Sequence, residues 1–139
     1  MQKKGRYVYY QPNKKDIKDR YGDCTIRALS KALDCSWLDA FDLMIPFCRE
    51  HQVSNIFDCD LALRKEILGK LGFDYKGISV KDGSCRPTVS EFAESHKKGT
   101  YILNVAHHEV ACVDGKYYDT WDSGRKSLYG YFTLKESDL

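Results

Sequence analysis

The chain has 139 residues, 42% hydrophobic and 30% charged, a composition that suits one globular domain spanning residues 1–139. A formal net charge of +2 supplies no global field for nucleic acid or an anionic membrane. No run approaches the ~20 apolar residues of a membrane span.

The N-terminal stretch is locally basic, with Lys3, Lys4, Arg6, Lys14, Lys15, Lys18 and Arg20, but Asp16, Asp19 and Asp23 interleave. It reads as a solvated segment, and no nucleic-acid motif accompanies it. No apolar stretch of signal-peptide type follows these charges, and the six cysteines lack the spacing of a disulfide framework. Reduced thiols in the cytoplasm are the expectation, with no membrane partner.

Arg6–Tyr10 reads as a short strand, after which Gln11-Pro12-Asn13 turns the chain into a polar loop ending at Gly22. A helix begins at Asp23 or Cys24, with Ile26, Ala28, Leu29, Ala32 and Leu33 forming an apolar stripe and Asp23 available as N-cap. Ser36 caps a second helix, Trp37 to about Glu50, expected to bury Leu38, Phe41, Leu43, Met44 and Ile45 and to kink or end at Pro46. A third helix runs from about Asp60 to Leu71 and stops at Gly72.

Asp74–Val80 is a strand or extended connector, and Lys81–Pro87 a loop. Thr88-Val89-Ser90-Glu91 has the form of a capping box opening a short helix to about Ser95. From Gly99 the period changes to that of strands: Tyr101–Val105, His108–Val113, Lys116–Thr120 and Tyr129–Leu134. Asp114-Gly115 between two of them is a hairpin-turn pair. Helices first and antiparallel strands last predict an α+β fold.

Cys24 stands at the start of a helix, where unpaired backbone N–H groups stabilise an anion and lower a thiol pKa. His108 and Asp119 follow on the late hairpin. Adjacent His107 and His108 face opposite ways on a strand. The side holding Val110 is expected to face the domain body and the first helix, which selects His108 as the base. A two-residue hairpin at Asp114-Gly115 sets Asp119 roughly opposite His108, so that its carboxylate can fix the imidazole, with Asp122 as a substitute.

These three residues, Cys24, His108 and Asp119, are what acyl transfer through a thioester requires. The Cys24 N–H is one donor for the oxyanion, and the side-chain candidates are Gln11 and Asn13. Trp121, which can shield the His–Asp bond, and His107 are assigned to substrate contact. With no C-x-x-C, no H-E-x-x-H, no phosphate-binding glycine loop and diverging adjacent histidines, neither a metal nor another cofactor is expected.

Two blocks, Gly22–Ser30 and Gly99–Asp122, resemble the papain-like cysteine peptidase superfamily. Its smaller bacterial and viral members are the most similar, among them bacteriocin-processing-type peptidases and viral leader proteases. The same blocks also resemble small uncharacterised proteins of bacteriophages and their Gram-positive hosts. The resemblance implies N-terminal helices packed on a C-terminal antiparallel β-sheet, and a peptide or protein substrate in a bacterium or phage-infected cell. It also implies Cys24 as nucleophile, His108 as base and then acid, and Asp119 as orienting group. Where the superfamily carries its oxyanion-hole amide, about five or six residues before the nucleophile, this chain has Lys18 and Asp19.

The expected activity is hydrolysis of an amide or isopeptide bond. The alternatives are acyl transfer to an amine, as in transglutaminase-like relatives, and a non-catalytic binding or inhibitor protein on the same fold.

Overall fold

A computed structural model describes residues 6–15, 23–54, 59–80 and 85–135. Within them the order is β1 (Tyr7–Tyr9), α1 (Cys24–Leu33), α2 (Trp37–His51), α3 (Leu61–Lys70), β2 (Phe73–Gly77), α4 (Val89–Ser95), β3 (Thr100–Val105), β4 (His108–Val113), β5 (Lys116–Asp119) and β6 (Leu128–Leu134). Four helices and a six-stranded mixed sheet make an α+β fold. No helix among the described residues is long and apolar enough to cross a membrane.

The sheet order is β1-β5-β4-β3-β6-β2. Its centre is the late antiparallel meander, closed by turns whose residues take positive φ: His107 between β3 and β4, and Asp114 with Gly115 between β4 and β5. Positive φ at both turn residues matches the right-handed twist of the flanking strands, and Asp-Gly tolerates it.

The expected purely C-terminal, antiparallel sheet is corrected at both edges. β2 joins from the middle of the chain, and β1 pairs parallel to β5, Tyr7 against Tyr117 and Tyr9 against Asp119. A parallel partner needs a long crossover, and the helices between β1 and β5 provide it.

Helices cover both faces of the sheet. Ala28, Leu29 and Ala32 of α1 share one apolar cluster with Ile102, Ala111 and Phe132, while Val89, Phe92 and Ala93 of α4 share another with Leu103, Val110 and Cys112. The expectation that α1 packs on the Val110 side is therefore overturned: α1 lies on the Glu109/Ala111 side, and α4 takes the other. With both faces buried, alternation along β4 shows two inward sides and cannot say which helix each meets. The small Ala28 and Ala32 allow close approach of α1 to the strand.

The capping box at Thr88 and Glu91 forms as expected, and the Ser36 hydroxyl accepts the Asp39 N–H at 3.0 Å. α2 runs its expected length without ending at Pro46, but its expected burial is corrected. The helix continues through Pro46 to His51, and Leu38, at 63% exposure, and Leu43 lie on the surface while Ala40 and Met44 are buried. α2 packs chiefly on α1 and reaches the cluster beneath through Ala40 and Met44, so a narrow stripe meets the body of the protein.

Gly130 in β6 sits beneath the Tyr75 ring, and an added Cβ would lie 2.7 Å from the Lys76 carbonyl oxygen of the neighbouring strand. The ring can turn away, but the backbone of a paired strand cannot. Gly130→Ala is expected to destabilise the fold by about 2 kcal/mol, measured by chemical denaturation; unchanged stability would contradict this packing of β2 on β6.

Candidate active site

β4 begins and β5 ends at the same end of the sheet, and there the structure brings His108 and Asp119 together. His108 Nε2 lies 2.7 Å from Asp119 Oδ2, both residues buried. They are diagonal neighbours rather than opposite ones: the register pairs Ala111 with Tyr118, which sets Asp119 across from Val110 and one pleat beyond His108 on the same side.

Asp119 is held at every acceptor position. Besides His108, Oδ2 accepts from the Ser123 hydroxyl at 2.7 Å, and Oδ1 accepts from the Thr120 N–H at 2.8 Å and from Arg27 Nη2 at 3.3 Å. Burial alone would push its carboxyl up. The His108 hydrogen bond and charge, with the bonds from Ser123 and Thr120, outweigh burial and hold it below the ordinary carboxylate value. The Trp121 ring lies 5.1 Å from the imidazole, centroid to centroid, and remains 46% exposed. It thus covers the pair from the solvent side.

Cys24 is the first residue of α1, as the sequence predicts, and Asp23 holds the N-cap position, but its side chain makes no capping hydrogen bond. Its carboxylate instead binds Arg27 one turn on and accepts from Trp37 Nε1 at 3.3 Å. The thiol is 7% exposed yet belongs to neither apolar cluster. Glu109, Arg27 and Thr25 are the polar groups that act on it.

The expectation of a lowered thiol pKa is corrected. Burial first, and the Glu109 carboxylate second, push the Cys24 thiol from 9.0 up to about 12, against the smaller opposing effects of the Glu109 backbone N–H, Arg27 and Thr25. Partial charge at a helix end cannot offset desolvation plus a neighbouring carboxylate. Among the described residues no hydrogen bond joins the thiol to His108.

Glu109 is a feature that sequence reasoning missed. It is fully buried, accepting from the Thr25 hydroxyl at 2.6 Å and from Arg64 Nη1 at 2.6 Å, while Arg64 also reaches Asn104 Oδ1 at 3.3 Å. A lone Glu in a β-run carries no sign of this burial; the partners come from α1 and α3. Arg27 and Ser123 were missed for the same reason.

Of the proposed amides, Gln11 follows Tyr10, whose N–H donates to the Asp119 carbonyl at 2.8 Å, so β1 delivers it to this end of the sheet. Its Oε1 accepts the Asn13 N–H at 3.0 Å, and Asn13 Oδ1 accepts the Lys15 N–H at 3.0 Å. Among the described residues no hydrogen bond ties Asn13 to Cys24, His108 or Asp119. His107 is exposed at the β3–β4 turn, and Asp122 binds the Tyr117 hydroxyl instead of His108. Lys18, Asp19 and Gly22 lie outside the described residues. Among the described residues no group of His, Cys, Asp and Glu could hold a metal ion. No protein-family model, curated protein or solved structure matches this chain significantly.

The raised thiol pKa makes stability depend on pH. Between 9.0 and about 12 the native chain keeps a proton that the unfolded chain releases. The contribution is whole below the unfolded value and is lost as pH rises through the folded one. Stability measured by denaturation is expected to fall across this range more steeply in the wild type than in Cys24→Ala; equal slopes would contradict the burial of a neutral thiol.

Proposed function

We propose that the chain is a cysteine-dependent hydrolase of an amide or isopeptide bond in a peptide or protein, working through Cys24, His108 and Asp119. The observation that carries this reading is the buried 2.7 Å bond between His108 Nε2 and Asp119 Oδ2. A histidine engaged through Nε2 keeps Nδ1 to exchange a proton with sulfur, and a carboxylate saturated by hydrogen bonds fixes that tautomer. Cys24 opening α1, and Trp121 over the imidazole, support the same reading.

The resting thiol is neutral, so proton transfer accompanies attack: substrate draws the sulfur toward His108. Sγ bonds to the carbonyl carbon as the thiol proton passes to the imidazole. The oxyanion that forms is met by the Cys24 N–H, which has no intrahelical partner in the first turn of α1, and by the Gln11 amide. The imidazolium returns its proton to the leaving amine as the C–N bond breaks. Water, deprotonated by His108, then hydrolyses the thioester, releasing the carboxylic acid and restoring the thiol. His107 and Trp121 contact the substrate chain beside the cleaved bond.

A second reading is favoured by one observation, the thiol pushed up to about 12 with no bond to His108: a non-catalytic binding protein on the same fold, in which the His–Asp pair is structural.

A peptide library incubated with the full chain separates the two. Cleavage is expected from the wild type and its loss from Cys24→Ala and His108→Ala, with Asp119→Asn slowing turnover about 100-fold or more. Cleavage that survives Cys24→Ala, or a library untouched by the wild type, overturns the hydrolase and supports the binding protein.

A further inference from the structure

We infer that Arg27 is a positioning residue of this site, a bridge that ties the first turns of α1, and so the nucleophile's helix, to the carboxylate that orients His108. The inference rests on the hydrolase reading for its purpose, though not for its geometry. Arg27 sits one turn after Cys24. Its Nη2 donates to Asp119 Oδ1 at 3.3 Å, and its Nη1 binds Asp23, whose other oxygen is held by Trp37 Nε1 at 3.3 Å. The guanidinium thus takes the oxygen of Asp119 that His108 leaves unused, so the carboxylate cannot turn Oδ2 away without breaking that contact.

A forked, planar donor is needed to meet two carboxylates at once, and a lysine ammonium has neither the fork nor the reach. Asp23 and Asp119 are both buried, at 5% and 2% exposure, and Arg27 is the cation between them. Around Asp119 the other polar and titratable groups are His108 of β4, Ser123 and Thr120 after β5, and Tyr7 of β1, whose hydroxyl donates to the Asp119 carbonyl at 3.3 Å. Asp122, tied to Tyr117, adds a further negative charge nearby, and Glu109 is neutralised separately by Arg64. Without Arg27, Asp119 would face Asp23 with no cation between, and its carboxylate would be harder to keep ionised. Its hold on the imidazole would loosen.

The test is NMR of the full isotope-labelled chain without substrate. In the wild type the His108 Nε2–H signal is expected to persist, shielded from solvent. In Arg27→Gln its exchange with water should speed up roughly tenfold, and the acid titration of the Asp119 carboxyl should move upward. A folded Arg27→Gln with both readouts unchanged overturns the inference. If that variant does not fold, Arg27→Lys decides on the same readouts: the charge is retained but one arm of the bridge is lost, so faster exchange supports the bridge and unchanged exchange refutes it. Neither readout needs turnover. A chain that cleaves nothing yet shows these changes loses the hydrolase reading alone, whereas an active chain with an unmoved His108–Asp119 pair loses the Arg27 bridge alone.

Discussion

The arrangement at this end of the molecule depends on the saturation of one carboxylate. Asp119 ends β5, the strand that β1 joins on one side and β4 on the other, and its oxygens collect donors from β4, α1 and the loop after β5. A buried carboxylate with fewer partners would take up a proton and release its neighbours. Fully bonded, it stays charged and aligns the imidazole. The same residue anchors β1 through its carbonyl, so the edge strand and the His–Asp pair are fixed by one position.

On the opposite side of β4 a second buried carboxylate does a different job. Glu109 takes a hydroxyl from α1 and a guanidinium from α3, locking both helices to the central strand. Desolvating such a pair costs about as much as its attraction returns, so it does more for register than for stability. It also has a chemical consequence. After burial, the charge of this carboxylate contributes most to keeping the Cys24 thiol protonated. One carboxylate, Asp119, holds the His108 imidazole, and the other, Glu109, disfavours ionisation of the Cys24 thiol. In the resting structure the Cys24 thiol is therefore neutral, while the Asp119 carboxylate stays ionised against His108.

Much of this was legible in the chain because it is written locally. Asp114-Gly115 set the hairpin, Thr88 and Glu91 the cap of α4, and the spacing around that hairpin brought His108 within reach of Asp119. What stayed hidden depends on distant partners. Tyr7–Tyr9 looks like any short strand, and nothing in it indicates a parallel seat beside β5. Alternation in β4 identified two sides but not their occupants, so α1 was assigned to the wrong one. Position at a helix start suggested an acidified thiol, while burial and the Glu109 charge that oppose it come from the tertiary fold and a strand far along the chain. Leu38 and Leu43 are apolar like Met44, and the sequence does not say which stripe of α2 turns inward.

The most direct measurement is capture of Cys24 by a peptidyl electrophile of the vinyl sulfone type, with the modified residue located by mass spectrometry. If sulfur, imidazole and carboxylate act together, Cys24 is captured ahead of the other cysteines, and His108→Ala, still folded, slows capture about 100-fold or more. Capture at an equal rate with and without His108, or none at Cys24, would show that the thiol and the His–Asp pair do not form one site.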